Sequence, residues 1–156
     1  MSEKILIIDN VRSAHNIGSL FRTAEGAGVS KIILVGYTPT PIDRFGRIQP
    51  EIKKTSLGAS TMISWESKTD EEILSYIASL KTEGFSVVAV EQTSQSISLY
   101  NFSVPEKVVY ILGNEINGVS RLVLDRCDSH VEIPMAGNKE SLNVCVAGGI
   151  VLFYKK

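Results

Sequence analysis

Apolar positions in this chain fall into two patterns, short continuous runs and longer stretches with helical spacing. Four of the runs predict strands covered on both faces, at residues 4–9, 31–35, 85–90 and 107–112. Helical spacing predicts helices over residues 16–27, 69–83 and 141–154. Gly28 stands at the C-terminal cap of the first helix, and Thr69 and Glu72 form a capping-box pattern that opens the second.

Weaker signals complete the alternation of strand and helix. Pro50 precedes a predicted short helix at 51–56, and another is predicted at 120–126. Two further strands are predicted at 61–65 and 130–133. Strands that alternate with helices favour an α/β fold with a mostly parallel sheet flanked by helices.

Length and composition limit the class of protein. From the length of 156 residues we expect a single domain, residues 1–156, without an accessory domain. Hydrophobic residues make up 44% of the chain and charged residues 21%, which is typical of a globular protein and not of a disordered one. The apolar stretch 144–154 is too short to span a bilayer, and the N-terminus lacks a secretory pattern. We therefore expect a cytoplasmic protein with no membrane partner.

Cysteine content and charge restrict the sites that the chain can build. Cys127 and Cys145 are too few for a disulfide framework or a four-ligand zinc site, so we expect two buried reduced thiols and no metal. Lys and Arg number 16 and Asp and Glu number 17, for a net charge of −1. A nucleic-acid site would therefore be a local basic patch and not a property of the whole surface.

Ligands of parallel sheets bind beyond the carboxyl ends of the strands, so the segments after the predicted strands are the candidates for a site. Those segments follow Asp9, Val90, Leu112 and Ile133. The first contains Asn16 and Arg22 on the helix 16–27. Each also has an ordinary structural interpretation, Asn16 as the helix N-cap and Arg22 as an arginine that leans toward the strands with its charged end in solvent.

The second segment, residues 113–120, is bracketed by Gly113 and Gly118 and carries one carboxylate, Glu115. It resembles a phosphate-binding P-loop, but Val119 stands where that loop needs lysine, so we exclude a nucleoside triphosphate site. Glycines here would let backbone amides approach a ligand, and a plain tight turn explains them equally well.

The third segment, residues 134–143, opens the last helix. We expect Ser141 to cap that helix, with Asn143 adding a second polar group at the same end. No Gly-x-Ser-x-Gly elbow, Cys/His pair, metal-ligand cluster or Gly-x-Gly-x-x-Gly fingerprint occurs in the sequence. Asp9 would suit a receiver-like module, but no acidic partner follows it.

Three segments together resemble the signature motifs of the SpoU/TrmH RNA 2′-O-ribose methyltransferases. The first runs from Asn10 to Gly28, with Asn16, Gly18 and Arg22. The second is Ile111-Leu-Gly-Asn-Glu-Ile-Asn-Gly-Val-Ser120. The third joins Ile133-Pro-Met135 to Ser141-Leu-Asn143-Val-Cys-Val-Ala. The motifs occur in the order of the family, and the resemblance covers nearly the whole chain.

The resemblance implies a SPOUT fold, in which the C-terminal segment threads a trefoil knot that holds S-adenosylmethionine. It also implies a homodimer with the active site near the subunit interface, for which Gly148 and Gly149 on the last helix offer a contact surface. The implied catalytic residues are Arg22, Asn16, Glu115, Ser141 and Asn143. The implied cofactor-binding residues are Val90, Glu91, Gln92, Gly113, Asn114, Ile133, Met135, Ser141 and Leu142.

A methyltransferase of this family also needs positive charge for its RNA. The basic residues near the first motif form our candidate RNA-binding patch: Arg12, Arg44, Arg47, Lys53 and Lys54. We expect ribose 2′-O-methylation of tRNA, with ribosomal RNA as the alternative substrate. A different class, a non-catalytic α/β module that binds a ligand or RNA, stays open at this point.

Overall fold

The computed structural model describes residues 2–156, and within them seven strands form one sheet. The strands are β1 (Glu3–Asp9), β2 (Val29–Val35), β3 (Ser64–Lys68), β4 (Ser86–Val90), β5 (Ile97–Ser98), β6 (Lys107–Gly113) and β7 (Ser129–Glu132). Their order across the sheet is β3-β2-β1-β6-β4-β7-β5, and each neighbouring pair is parallel. The predicted parallel α/β sheet is therefore confirmed.

Helices cover both faces of this sheet. They are α1 (Ala14–Gly26), α2 (Pro50–Ser56), α3 (Glu72–Thr82), α4 (Arg121–Leu124) and α5 (Val144–Phe153), with single 3-10 turns at Ala59–Thr61 and Leu99–Asn101. Helices α1, α2 and α5 pack on one face and α3 and α4 on the other. In β1, Leu6 and Ile8 belong to the first layer and Ile5 and Ile7 to the second, which explains why this strand is apolar at consecutive positions.

The region after α2 differs from the prediction of a strand at 61–65. The chain turns at Leu57 and Gly58, both with positive φ, and then forms the 3-10 turn. The strand begins only at Ser64, where its pairing with Lys31 of β2 starts. The two-residue strand β5 was not predicted, because two residues are too few to show a periodic pattern.

Two predicted helix caps are wrong, and both helices are capped by a neighbouring residue. Ser13 caps α1, and its Oγ accepts a hydrogen bond of 3.1 Å from the backbone N–H of Asn16, so Asn16 lies inside the first turn. Asn143, and not Ser141, caps α5, because its Oδ1 accepts a bond of 2.8 Å from the N–H of Cys145. Ser141 lies in the irregular segment before the helix.

Other predicted end signals are confirmed. Thr69 and Glu72 exchange reciprocal bonds of 2.8 and 3.0 Å between side chain and backbone N–H at the start of α3. Gly28 adopts a φ of +76° just after the end of α1, a conformation that favours glycine. No helix within residues 2–156 is long and apolar enough to cross a membrane.

Helix α5 packs closely on α1 inside the chain. A Cβ on Gly148 would lie 2.8 Å from Cδ2 of Leu20 and 3.0 Å from Cδ1 of Leu112, so this glycine faces the core. The expectation that Gly148 contributes to a subunit contact is therefore wrong, because its small size serves packing within the chain. The opposite side of α5 exposes larger apolar side chains: Val146, Ile150 and Phe153.

Candidate active site

A cleft of about 560 Å³ opens at the carboxyl edge of the sheet, between the ends of β4, β6 and β7 and the start of α5. All residues predicted to bind the cofactor line it: Val90, Glu91, Gln92, Gly113, Asn114, Ile133, Met135, Ser141 and Leu142. Glu115 and Asn143, two further predicted catalytic residues, line it as well. The fold thus brings the second and third motifs together around one cavity.

The side chain of Asn114 shapes the loop that follows β6. Its Oδ1 accepts bonds from the backbone N–H groups of Ile116 (2.8 Å) and Asn117 (2.9 Å), which fixes the orientation of the amide. Its Nδ2 then donates to the carbonyl oxygen of Asn10 at 2.9 Å and to Oη of Tyr37 at 2.8 Å. Both groups of this buried amide are satisfied within the chain, and the backbone N–H and carbonyl oxygen of Asn114 bond to Gly118 at 3.1 and 2.9 Å, so the role of Asn114 is to shape the loop.

Glu91 and Gln92 hold two walls of the cleft in place. Glu91 accepts a bond of 2.9 Å from the N–H of Val119 through Oε2, which ties the end of β4 to the loop after β6. Gln92 donates from Nε2 to the carbonyl oxygen of Glu140 at 2.6 Å, which ties the same strand end to the segment before α5. These residues therefore build the cleft, whatever direct contact they make with a ligand.

The backbone of the loop after β6 packs directly against Gly113. A Cβ there would lie only 2.2 Å from the backbone N of Val119, so the loop after β6 can fold back only on a glycine. Beside it, Asp9 is 1% exposed, and its Oδ2 accepts a bond of 2.8 Å from the N–H of Ser120. Asp9 thus fixes the far end of the same loop. Because its carboxylate is buried, it is not accessible in the way that a receiver-like module would require.

The cleft suits a partly apolar ligand that carries positive charge. Its charged lining residues are all carboxylates: Glu91, Glu115, Glu132 and Glu140. Apolar side chains of Ile133, Met135 and Leu142 line the part nearest β7 and α5. S-adenosylmethionine combines an adenine ring with a sulfonium cation, and a volume of about 560 Å³ lies within the range of cofactor sites. The residues present therefore fit this cofactor. Within residues 2–156 no group of three His, Cys, Asp or Glu side chains is placed so that it could hold a metal ion.

Asn16 lies close to this cleft, at the junction of α1 and α5. Its carbonyl oxygen accepts a bond of 3.3 Å from Sγ of Cys145, and Asn143 caps the turn that carries this cysteine. Burial raises the pKa of the Cys145 thiol to about 11, so the thiol keeps the proton that it donates. Both cysteines are free and half-buried, so the expected reduced thiols are present but not fully buried.

Arg22 does not reach the cleft within one chain. Its side chain is exposed, contrary to the expectation that it leans toward the strands, because Phe21 and Ala24 occupy the buried side of α1. It lines a separate depression of about 340 Å³ together with Thr55 of α2 and Phe153 of α5. Among residues 2–156 it has no hydrogen-bond or ion-pair partner, so its guanidinium group is available to a further molecule.

The basic residues predicted to bind RNA are all exposed: Arg12, Arg44, Arg47, Lys53 and Lys54. Arg47 also pairs with Asp43 at 2.8 Å. Arg12 lies 5.4 Å from the ring centroid of Tyr37, at the end of β2. The RNA-binding role of these residues stays a prediction, and part of the charge of Arg47 is used within the chain.

Sequence reasoning missed Tyr37 and Phe45, which lie among these basic residues. Both rings are exposed, Tyr37 by 53% and Phe45 by 66%. The rule that a site follows a strand end would have pointed to Tyr37, because this residue lies two positions after the end of β2. No periodic signal marks Phe45, which lies in an irregular loop.

The fold and the cleft define a class of protein: a parallel α/β protein whose ligand site is built from the ends of three strands and the last helix. The particular family follows from comparison. The model of the SpoU rRNA Methylase family matches residues 3–153, and the chain belongs to this family. The expected family, the parallel α/β fold and the use of S-adenosylmethionine by that family are confirmed. The trefoil knot and the single-domain organisation stay predictions.

Several named relatives cover nearly the whole chain. The 23S rRNA (guanosine-2′-O-)-methyltransferase RlmB of Xanthomonas axonopodis pv. citri is 34% identical over 96% of this chain and 56% of the relative. The AdoMet-bound rRNA methyltransferase from Sinorhizobium meliloti is 31% identical, with a TM-score of 0.85 over 97% of this chain and 54% of that one. The A. aeolicus TrmH/SpoU tRNA modifying enzyme is 26% identical, with a TM-score of 0.83 over 98% of this chain and 73% of that one. The chain spans about half the length of the curated relatives that it matches.

Proposed function

We propose that this protein is an RNA methyltransferase that transfers a methyl group from S-adenosylmethionine to a ribose 2′-hydroxyl. The observation that carries the proposal is the convergence of the second and third signature motifs on one acidic, partly apolar cleft in a member of the SpoU family. The bound cofactor supplies an activated methyl group on a sulfonium. The protein then has to align the hydroxyl with that group and help to remove one proton.

The substrate is ribosomal RNA in preference to tRNA. The curated relatives at 31% and 34% identity are named 23S rRNA methyltransferases, which reverses the order of preference drawn from the sequence alone. Transfer RNA remains the second candidate, because the A. aeolicus relative is a tRNA modifying enzyme.

Polar groups at the start of α5 orient the RNA. The Oδ1 atom of Asn143 is committed to the N–H of Cys145, so its Nδ2 remains as a donor toward a ribose or phosphate oxygen. Ser141 adds a hydroxyl and Glu115 a carboxylate at the rim of the same cleft. Asn16 stands beside them at the first turn of α1.

Arg22 acts on the hydroxyl from a second copy of the chain. An arginine held against an RNA phosphate assists loss of the proton or stabilises the developing alkoxide, but Arg22 lies outside the cleft of its own chain. The depression that holds Arg22 includes Phe153, and the neighbouring face of α5 also exposes Val146 and Ile150. A homodimer that buries this face would place Arg22 of one subunit at the cleft of the other, with the isologous contact usual for two-fold dimers.

The first experiment measures transfer from labelled S-adenosylmethionine to unmodified 23S rRNA and tRNA transcripts in parallel. Label recovered as a single 2′-O-methyl nucleoside identifies the reaction, and its position identifies the substrate. Absence of label from both RNAs, with the cofactor bound, would contradict the proposed activity.

A second experiment tests whether two chains share the site. Arg22→Ala removes the arginine, and Leu142→Arg puts a positive charge into the cofactor cleft. Each variant alone is expected to be inactive, and only Leu142→Arg should lose cofactor binding in calorimetry. If the subunits exchange at random, half of the dimers are mixed and one of their two sites is intact, so activity returns to about a quarter of the wild-type value. A mixture that stays inactive would show that Arg22 serves its own chain.

A further inference from the structure

Residues 42–48 form a small closed loop between β2 and α2, with Phe45 near its tip. Ile42 and Ile48 pair across the base of the loop in an antiparallel bridge. Gly46 adopts a φ of +79° and reverses the chain directly after Phe45. The Phe45 residue is 66% exposed, so its ring is accessible to a ligand.

Asp43 fixes the conformation of this loop. Its Oδ1 accepts bonds of 2.9 Å from the backbone N–H groups of Phe45 and Arg47, and its Oδ2 accepts a bond of 2.8 Å from Nε of Arg47. The backbone N–H of Arg47 and the other bonds hold the pKa of the Asp43 carboxyl below its usual range, so the carboxylate stays ionised at neutral pH. The exposed ring is therefore presented by a loop that is already ordered, and little conformational entropy is lost when it meets a ligand.

Positive charge surrounds the ring. The guanidinium carbons of Arg44 and Arg47 lie 4.9 and 5.0 Å from the Phe45 ring centroid. Residues 42–54 carry four basic and two acidic side chains, whereas the whole chain has a net charge of −1. The occupant that suits this surface has flat apolar faces and negative charge, which are the two properties of single-stranded RNA.

We infer that Phe45, together with the guanidinium groups of Arg44 and Arg47 that lie over its ring, is a stacking platform for an unpaired base of the RNA substrate. The inference rests on the proposed function and adds to it the kind of RNA that is bound, a loop or single strand with an exposed base and not a continuous duplex. Stacking on an aromatic ring needs no particular base, so Phe45 contributes affinity and position.

The test compares Phe45→Ala, Phe45→Leu and Phe45→Trp, with Tyr100→Ala as the matched control. Tyr100 is 62% exposed and has no cationic side chain over its ring in the described part of the chain. The probe is the unmodified 23S rRNA transcript, with its Kd measured by filter binding and its KM and kcat by methyl transfer. Loss of one stacked base corresponds to a drop in affinity of about 5- to 150-fold.

We expect Phe45→Ala and Phe45→Leu to raise Kd and KM within that range, with kcat and cofactor affinity unchanged, and Phe45→Trp to restore binding. The dependence of Kd on salt should stay the same in Phe45→Ala, whereas Arg44→Gln should reduce its slope by about one. Tyr100→Ala should bind as the wild type does.

Three results would overturn the inference. The first is wild-type affinity in Phe45→Ala. The second is full function in Phe45→Leu, which would mean that an apolar contact suffices. The third is dissociation of Phe45→Ala into monomers in sedimentation, which would make the loop a subunit contact. If the wild type binds RNA through Phe45 but transfers no methyl group, the platform stands and the proposed activity fails. If the wild type binds no RNA, the platform fails as well.

Discussion

The cofactor cleft and the face formed by α1 and α5 differ in how their polar and apolar groups are satisfied. In the cleft, the Glu91 carboxylate and the Asn114 amide bond to groups of the same chain. On the face formed by Arg22, Val146, Ile150 and Phe153, the apolar side chains are 39–52% exposed and the arginine has no partner in the described chain. The polar groups named in the cleft are satisfied within a single chain, and the other face has the features of a surface that a second molecule covers.

The bonds of the cleft also join residues that are far apart in the sequence. Ser120 bonds to Asp9 across 111 residues, and Asn114 bonds to Asn10 across 104. The cleft therefore forms only when the whole sheet has folded, and these bonds are made within one chain. Cofactor binding and methyl transfer should then be separable by substitutions placed in one region or the other.

The largest effect is expected from Phe153→Asp, which acts only on the α1–α5 face. In the folded monomer the new carboxylate stays in water and lowers the free energy of unfolding little. In a dimer the same carboxylate would be buried without a cation unless the Arg22 side chain moves to pair with it. We expect monomers in sedimentation velocity, methyl transfer reduced at least about 100-fold, and cofactor affinity within about twofold of the wild type.

Tyr100→Asp is the matched control for Phe153→Asp, because it places the same charge on another exposed aromatic position outside this face. It should leave both the sedimentation and the activity unchanged. A Phe153→Asp protein that remains dimeric, or that transfers methyl groups normally as a monomer, would contradict the assignment of this face.

A smaller effect, confined to the cleft, is expected from Gly113→Ala. The new Cβ would lie 2.2 Å from the backbone N of Val119, so the loop after β6 has to shift. Overpacking of this kind costs about 1–3 kcal/mol of the free energy of unfolding, and the displaced loop should weaken cofactor binding about tenfold. Thermal or urea unfolding and calorimetry with S-adenosylmethionine measure the two effects.

Gly137→Ala controls for the loss of a glycine itself, because a Cβ there meets nothing within 4 Å. It should leave unfolding and cofactor binding unchanged. Gly113→Ala should also remain dimeric, which is the reverse of the pattern expected for Phe153→Asp. If Gly113→Ala bound the cofactor normally, the loop after β6 would not be part of the cofactor site.

The sequence predicted the cleft better than it predicted the other face, and the reason is physical. Strand runs such as 107–112 are apolar at consecutive positions because helices cover both sides, so both the strands and their carboxyl ends are visible in the sequence. The places of Glu91 and Gly113 follow from those ends. The direction in which the Arg22 side chain points cannot be predicted from the strand ends, since the sequence of helix α1 alone gives no information about a second chain.

Errors at helix ends have a related cause. Several residues before α5 can accept a bond from the first turn, and the sequence alone favoured Ser141 over Asn143. The choice depends on where the chain leaves β7, which is set by bonds such as that from Gln92 to Glu140. Phe45 was missed for the opposite reason, because its loop is ordered by Asp43 without any periodic pattern.

The smallest expected effect concerns Cys145, which lies where the two regions meet. Its thiol donates to the carbonyl oxygen of Asn16, and burial raises its pKa from 9.0 to about 11. At pH 8 only about one folded molecule in a thousand carries the thiolate at this position. Iodoacetamide should therefore label Cys145 far more slowly in the native protein than in urea, as followed by peptide mass spectrometry.

The raised pKa of Cys145 also makes the free energy of unfolding depend on pH in the alkaline range. The folded state holds this proton more tightly than the unfolded state, so the stabilisation is complete below pH 9 and is lost as the pH rises toward 11. Cys145→Ala should flatten that part of the profile of the free energy of unfolding against pH. Cys127→Ala is the matched comparison, because burial raises the pKa of Cys127 to about 12 at a site on the other face of the sheet. Cys127→Ala should therefore leave unchanged the pH dependence that Cys145 gives to the free energy of unfolding between pH 9 and 11.

Rapid labelling of native Cys145 at pH 8 would mean that the junction of α1 and α5 is open. The cleft and the α1–α5 face would then not be as separate as the structure describes.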